Sequence, residues 1–272
     1  MATDYFKRKS IINGSISKVL GQIYPELSYN FLMKLLRKKD VFLNGKRAAE
    51  NSVVKMGDEL DLFLRPDLVP IKVVFKNEDI MAVYKPKGVQ SDGEPSFSSL
   101  VKYVYPSSIL MHRLDTNTDG LLLFALNSKA EKIVGQAMKT GMIQKEYKAV
   151  VYGEVDWKDK TLIGYLVKDP LKGKVRIYDH NLKGAERVEL KASTKSIKDG
   201  TTTLSVIICG GKTHQIRAQL AAAGYFILGD GKYGDDRINK LYNKKSQELT
   251  AVKLSFKLDD DVLGLNDVVI SL

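Results

Sequence analysis

Residues 111–125 read Met111-His112-Arg113-Leu114-Asp115-Thr116-Asn117-Thr118-Asp119-Gly120-Leu121-Leu122-Leu123-Phe124-Ala125. Leu121 to Ala125 is a continuous apolar run of the length of a buried strand. A polar loop carrying His112, Arg113 and Asp115 leads straight into it. Upstream, Val73-Val74-Phe75 and Ile80-Met81-Ala82-Val83-Tyr84 read as strands separated by the turn-like Lys76-Asn77-Glu78-Asp79, and Lys85-Pro86-Lys87-Gly88 breaks the second. Downstream, Ser128 is expected to cap a helix with Ala130, Ile133, Val134, Ala137 and Met138 on one face and Gly141 as its stop. Tyr147–Tyr152 and Leu204–Cys209 read as further strands. Val188, Leu190 and Ala192 alternate with Arg187, Glu189 and Lys191, as in a half-buried strand. Gly210-Gly211 makes a turn, after which Thr213 is expected to cap a short helix with Ile216 and Leu220 as its apolar face and Gly224 as its stop. Many strands, few helices and no regular βαβ alternation predict an α+β fold with a mostly antiparallel sheet.

The 272 residues carry 43 Lys+Arg against 32 Asp+Glu, a formal net charge of +11, with 44% hydrophobic and 28% charged residues. This is the composition of a globular protein rather than a disordered tail. A chain of this length buries a large core without disulfides. The single cysteine, Cys209, excludes an intramolecular disulfide and a Cys-rich zinc site. No apolar run reaches the ~20 residues that span a bilayer, and no apolar run follows the basic N-terminus as in a signal peptide. These features predict a cytoplasmic protein that needs no membrane; a monomer is expected. The positive charge points to a polyanion, most often nucleic acid.

The first 66 residues form a unit of their own. Ile16, Val19, Leu20 and Ile23 share one helical face, ended by Pro25. Ser28 caps a second helix with Phe31, Leu32, Leu35 and Leu36 on one face, and its last turn carries Lys34, Arg37, Lys38 and Lys39, where cations suit the helix dipole. Val41-Phe42-Leu43 runs into Asn44-Gly45, a strong hairpin signal, followed by Lys46 and Arg47. Gly57-Asp58 then opens a strand in which Leu60, Leu62 and Leu64 alternate with Glu59, Asp61 and Phe63. Arg65-Pro66-Asp67-Leu68-Val69-Pro70 reads as a linker stiffened by its prolines. The domains are thus expected at 1–66 and 67–272. The first holds 12 Lys+Arg against 7 Asp+Glu, and the second, three times longer, 31 against 25.

Two polar segments carry candidate chemistry: His112-Arg113-Leu114-Asp115 before the buried strand, and Thr213-His214-Gln215-Ile216-Arg217 at a helix start. Polar groups at such places suit ligand contact. A zinc site lacks ligands, with Cys209 in a strand and His180 in a loop. There is no Gly-x-Ser-x-Gly elbow for a serine triad. Neither phosphate-binding glycine motif of the nucleotide folds is present. What remains is a carboxylate, Asp115, with arginines that could keep it ionised. An ionised carboxylate can act as a nucleophile.

Five segments then occur in one order. Asn77-Glu78-Asp79 through Lys85-Pro86-Lys87-Gly88 is similar to N-E-D-x-x-x-V-x-K-P-x-G. Met111–Leu122 is similar to H-R-L-D-x-x-T-S-G-L-L, Lys145–Ala149 to K-x-Y-x-A, Lys212–Leu220 to G-R-T-H-Q-I-R-x-H-L, and Leu228–Gly234 to x-G-D-x-x-Y-G. Together they resemble the RluA-type pseudouridine synthases over about residues 73–234. Residues 14–65 resemble the S4 RNA-binding module through Lys39–Arg47 and Gly57–Leu60. The sequence departs from the catalytic pattern at Asp119 (usually Ser), Lys212 (usually Arg) and Gln219 (often His).

The resemblance implies an isomerase that detaches uracil from its ribose, turns it and rejoins it through carbon 5, with no metal and no organic cofactor. It implies Asp115 as nucleophile, Arg217 as its ion-pair partner and Tyr147 stacked on the target base. It gives substrate contacts to Arg113, His112, His214, Ile216 and Lys212, and leaves Lys85 and Pro86 an architectural part. Lys34, Arg37, Lys38, Lys39, Lys46 and Arg47 are expected to meet RNA phosphates. A uridine in folded RNA must be flipped out to reach Asp115. The expected partner is RNA, ribosomal in preference to transfer RNA. Two alternatives stay open at this point: a non-catalytic RNA-binding or ribosome-assembly protein that retains the fold, and a hydrolase that uses Asp115 to release uracil.

Overall fold

The computed structural model describes residues 6–63, 69–93, 96–169, 171, 173–258 and 263–272. Most of the expected linker, and Leu64, lie outside the described residues. The chain divides into two compact units, one of residues 1–71 with 88–106, the other of 72–87 with 107–272. The segment 88–106, expected with the second domain, groups with the first unit.

In the first unit, β1 (Arg8–Lys9), β2 (Gly14–Ser15), α1 (Ile16–Ile23), α2 (Tyr29–Arg37), β3 (Val41–Leu43), β4 (Lys46–Arg47), β5 (Val53–Val54) and β6 (Glu59–Leu62) follow in order. Ile16, Val19, Leu20 and Ile23 are all buried, as their spacing predicts. Ser28 caps α2 by accepting from the Phe31 N–H, and Leu32, Leu35 and Leu36 are buried beneath it. Asn44 and Gly45 both take positive φ, 49° and 76°, which the tight β3–β4 turn requires. Asn44 also ties this turn to the start of β6, donating to Asp58 at 3.0 Å and accepting from the Glu59 N–H at 2.9 Å.

The second unit contributes β7 (Val73–Lys76) and β8 (Ile80–Lys85). After α3 (Phe97–Val104), which belongs to the first unit, come β9 (Ile109–Leu110), β10 (Asp119–Ala125), α4 (Ser128–Thr140) and β11 (Ile143–Tyr152). There follow β12 (Asp159–Asp169), β13 (Lys174–Tyr178), β14 (Glu186–Lys198), β15 (Thr201–Ile208), α5 (Gln215–Ala222), α6 (Asp236–Leu241), β16 (Leu249–Phe256) and β17 (Val269–Ser271). One mixed sheet runs β13-β12-β14-β15-β11-β16-β10-β8-β7, with β17 beside β16 and β9 beside β10. Every pairing is antiparallel except β10 with β16. The α+β class and the mostly antiparallel sheet are as the sequence predicts. Leu121, Leu123 and Ala125 of the central strand β10 pack with Val134, Ile143, Leu254 and Phe256 in the main core.

The seam between β10 and β16 explains the glycine of the opening stretch. Gly120 has φ +116°, and a Cβ there would lie 2.2 Å from the Ala251 carbonyl oxygen. Only glycine lets the late strand β16 approach this closely. Two helix starts differ from expectation. Asn127, one residue earlier than Ser128, caps α4 by accepting from the Ala130 N–H at 2.8 Å, while Gly141 ends it with φ +80° as predicted. His214, not Thr213, caps α5, in the left-handed region at φ 54° and without a side-chain cap. Nor is α5 amphipathic. Gln215, Arg217 and Gln219 are buried along with Ile216 and Leu220. Apolar periodicity alone could not reveal a helix that buries hydrogen-bonded polar groups. The Gln215 amide donates to the Glu189 carbonyl and to Gln219, and the Gln219 amide to the Leu162 carbonyl, each at 3.0 Å.

Candidate active site

The loop 111–118 hangs from the N-terminal end of β10, and side chains from several strands hold it. Thr118 N–H donates to the Asp115 carbonyl at 3.0 Å. Gln247 donates to the Thr118 hydroxyl at 2.6 Å. The Lys85 ammonium, wholly buried at the end of β8, donates to the carbonyls of Thr116 (3.2 Å) and Pro86 (2.8 Å). Asp119, the departure from the family pattern, has its own partners. It accepts from Tyr84 Oη at 2.6 Å and Thr250 Oγ1 at 2.8 Å. Burial, and then the bond to Asp119, push the Tyr84 phenol up to about 12. Burial pulls the Lys85 ammonium down to about 8 against the opposing pull of Asp119 and Asp115.

Asp115 emerges from this support with its side chain 26% exposed. It accepts from Arg217 Nη1 at 2.7 Å. The other two guanidinium nitrogens, Nε and Nη2, each donate at 2.7 Å to the two oxygens of Asp230. Asp230 is fully buried and accepts also from the N–H groups of Lys232 (2.8 Å) and Tyr233 (3.1 Å). Burial works against it, but Arg217 and the Lys232 and Tyr233 N–H groups together hold the Asp230 carboxyl below its ordinary range. The two carboxylates hold the guanidinium charged even though it is buried. A fork–fork pair of this kind fixes direction as well as charge. The Tyr233 ring lies 5.2 Å from the guanidinium carbon. Its hydroxyl accepts from the Val175 N–H at 2.8 Å and meets His214 Nδ1 at 3.0 Å.

The remaining predicted residues fall into three places. Tyr147 is buried on β11, where desolvation and then the charge of Asp115 raise its phenol pKa. His214 is held at the start of α5 and lies within electrostatic reach of both Asp115 and Arg217, with burial keeping its imidazole below its ordinary pKa. Ile216 is buried beside Arg217 on α5. The imidazole of His112 is committed to the sheet. Its Nε2 accepts from the Leu123 N–H at 3.2 Å, and burial, then the charge of Lys145, push it down to about 3. Arg113 is exposed. Lys212 is exposed and ion-paired with Glu186. Lys34, Arg37, Lys38, Lys39, Lys46 and Arg47 are all exposed, at the end of α2 and in the β3–β4 hairpin.

Asp230 and Tyr233 received no role from the sequence, although both lie in the quoted segment Leu228–Gly234. The signal was present: an acid and an aromatic in a short motif that follows an arginine. Lys85, expected to be architectural, is a buried cation that holds the loop carrying Asp115. Among the described residues, no group of acidic, histidine and cysteine side chains is arranged to hold a metal, and no helix is long and apolar enough to cross a membrane.

Comparison with known proteins gives this geometry a family. The model of the RNA pseudouridylate synthase family matches residues 79–222. Ribosomal large subunit pseudouridine synthase C of Rickettsia bellii is 30% identical over 258 residues, covering 84% of this chain and 85% of the relative. An uncharacterised RNA pseudouridine synthase of Aquifex aeolicus is 27% identical, covering 80% of this chain and 76% of the relative. The structure of human RNA Pseudouridylate Synthase Domain Containing 1 shares the fold, with a TM-score of 0.64 at 20% identity over 75% of this chain and 83% of that one. The chain belongs to the RNA pseudouridylate synthase family, of the RluA type, and is an isomerase acting on RNA.

Proposed function

We propose that Asp115 is the nucleophile of this isomerase and that Arg217, itself held by Asp230, keeps the carboxylate ionised and aimed. The observation that carries this reading is the Asp115–Arg217–Asp230 chain. A surface aspartate rarely has its ion-pair partner buried and fixed from behind by a second carboxylate. One guanidinium between two carboxylates stays positive at any working pH, so Asp115 faces a fixed cation.

In the reaction the bond from ribose C1′ to uracil N1 breaks, a bond from C1′ to C5 forms, the proton on C5 is lost and N1 takes one up, so that the product is an isomer of the substrate. Asp115 supplies the electron pair that holds the detached half while the base turns. Tyr147, kept neutral at physiological pH by burial, offers an aromatic face for stacking on the extruded uracil. His214 reaches the same place with its Nδ1 engaged by Tyr233, which leaves its other nitrogen for the substrate. Ile216 packs beneath the base. Lys85 is a positioning residue. It holds the Thr116 carbonyl, one residue from the nucleophile. Arg113 and Lys212, both exposed, are placed for the RNA backbone, with Lys212 exchanging its Glu186 partner for phosphate.

The first unit is proposed as an S4-type RNA-binding domain, with Lys34, Arg37, Lys38, Lys39, Lys46 and Arg47 on phosphates. Exposed cations on a helix end and a hairpin, none of them ion-paired among the described residues, support it. The substrate is proposed to be large-subunit ribosomal RNA, because the relatives from several Rickettsia species carry that name, and its place of work is then the cytoplasm. The test is to treat ribosomal and transfer RNA from cells lacking this protein with the purified enzyme and map pseudouridine by carbodiimide chemistry. New sites in large-subunit RNA, absent with Asp115→Ala, are expected. Sites confined to transfer RNA would overturn the substrate assignment, and undiminished modification by Asp115→Ala would overturn the nucleophile. Release of free uracil would point to hydrolysis instead.

A further inference from the structure

Lys145 and Tyr147 stand two residues apart on β11 and project to the same face of the sheet. Lys145 is only 6% exposed. Yet its ammonium makes no hydrogen bond or ion pair with any described residue. Cys209 and His112 lie within electrostatic reach of it. A Cβ on Gly211 would lie 3.1 Å from Lys145 Nζ, so the ammonium rests against the Gly210-Gly211 turn and depends on the missing side chain there. The His112 ring leaves its proton on Nδ1, because Nε2 accepts from Leu123. That Nδ1 is buried, and the ring interacts with the Arg113 backbone. The Lys145 side chain is thus buried along most of its length, and its ammonium has no acceptor among the described residues. An isolated buried ammonium is costly unless a counter-charge reaches it.

The turn that Lys145 touches leads into α5, an eight-residue helix. Gly210 and Gly211 are exposed and leave their backbone uncovered, so a bulky anion can come close. The neighbouring Lys212 faces Glu186, with which its side chain pairs, and its N–H donates to Gln215 Oε1 at 3.1 Å. No carboxylate among the described residues pairs with Lys145. The group the place accepts is therefore a pure acceptor carrying negative charge, open to solvent on the glycine side and met by an ammonium on the buried side.

We propose that Lys145 and the Gly210-Gly211 turn form a subsite for a phosphate of the RNA chain beside the target uridine. The identity of the anion rests on the pseudouridine synthase reading; the existence of the anion site does not. Its distance from Tyr147 suits the case. Same-face neighbours on a strand lie about 7 Å apart, so a base stacked on Tyr147 has its own backbone within reach of Lys145. The subsite also gives a reason for glycine at 211 and for a lysine buried without a carboxylate.

The test uses the full chain and inorganic phosphate as probe. Amide resonances of Gly210 and Gly211 are followed by NMR during a phosphate titration of wild type, Lys145→Met and Lys145→Arg, with thermal melting as the control for folding. The expected result is saturable shifts in wild type, none in Lys145→Met, and weakened shifts in Lys145→Arg. Unmoved glycine amides in wild type, or equal shifts in a folded Lys145→Met, would overturn the subsite. If Lys145→Met does not fold, the wild-type and Lys145→Arg titrations decide, and shifts as strong in Lys145→Arg as in wild type would count against it. Poly(U) binding gives the second readout. The slope of log affinity against log salt should lessen by about 0.7, one single-strand phosphate contact, in folded Lys145→Met, and an unchanged slope would contradict an RNA phosphate as the ligand. Neither measurement reads isomerisation, so a failure of the catalytic reading leaves the titration result standing.

Discussion

The N-terminal unit and the β-sheet unit use the same kinds of charged residue in opposite ways. Lys34, Arg37, Lys38, Lys39, Lys46 and Arg47 are exposed, and none forms an ion pair among the described residues. Arg217 is buried, with every guanidinium nitrogen engaged by a carboxylate. Exposed cations attract a polyanion over a Debye length and are weakened by salt. A buried, forked arginine attracts nothing from a distance, but it holds one carboxylate in one direction. Charge counted along the sequence finds the first kind. The second becomes visible only when the fold brings residues 115, 217 and 230 together.

Changes in the two regions should therefore differ in kind as well as in size. The largest effect is expected from Asp230→Ala, which leaves a buried guanidinium with half its partners gone. Loss of about 3–5 kcal/mol of stability is expected by denaturant titration, along with loss of isomerisation. Stability within about 1 kcal/mol of wild type, the range of a surface-like change, would mean that the pair is not holding the site. Arg217→Lys keeps the charge and loses the fork, so turnover should fall by about 10²–10³-fold while RNA affinity stays near wild type. A parallel loss of affinity would place Arg217 on the RNA instead.

Replacing Lys34, Arg37, Lys38 and Lys39 together by Gln should do the reverse. RNA affinity should fall and its salt slope lessen by about 3, with single-turnover rates at saturating RNA unchanged. The smallest effect concerns His112. Its folded-state pKa of about 3 lies below the ordinary 6.5, so below pH 6.5 the unfolded chain takes up a proton that the native state refuses. Its contribution is complete above pH 6.5 and drains as the pH falls towards 3. Between about pH 7 and pH 5 it should cost about 2 kcal/mol, a slope that His112→Gln should lack in pH-dependent unfolding.

Much of the architecture is readable in the sequence because it follows local rules. The helix faces of Ile16–Ile23 and Leu32–Leu36, the Asn44-Gly45 hairpin and the buried strand at Leu121 each depend on neighbours along the chain. What escapes is non-local. Nothing near Gly120 reveals that β16, over a hundred residues later, must pass within van der Waals contact of it. The helix α5 hides Gln215, Arg217 and Gln219 because their partners come from β12, β14 and the 115 and 230 loops. The expected cap at Thr213 fails because His214 takes a left-handed backbone, uncommon for any residue other than glycine. Of the site, Asp115, Tyr147, His214 and Arg217 are found through motif resemblance and do come together. Asp230 stands in a motif without a role, since only the fold shows it behind Arg217.

The central claim is that the carboxylate of Asp115 forms the bond that carries the reaction. The most direct measurement is single-turnover pseudouridine formation by wild type and Asp115→Asn, each at saturating large-subunit ribosomal RNA and matched RNA occupancy. The amide introduced by that substitution keeps the size and one acceptor oxygen of the side chain but removes its ionised electron pair. The account predicts bound RNA and no detectable product with the variant. Product formed at a rate comparable to wild type would contradict it.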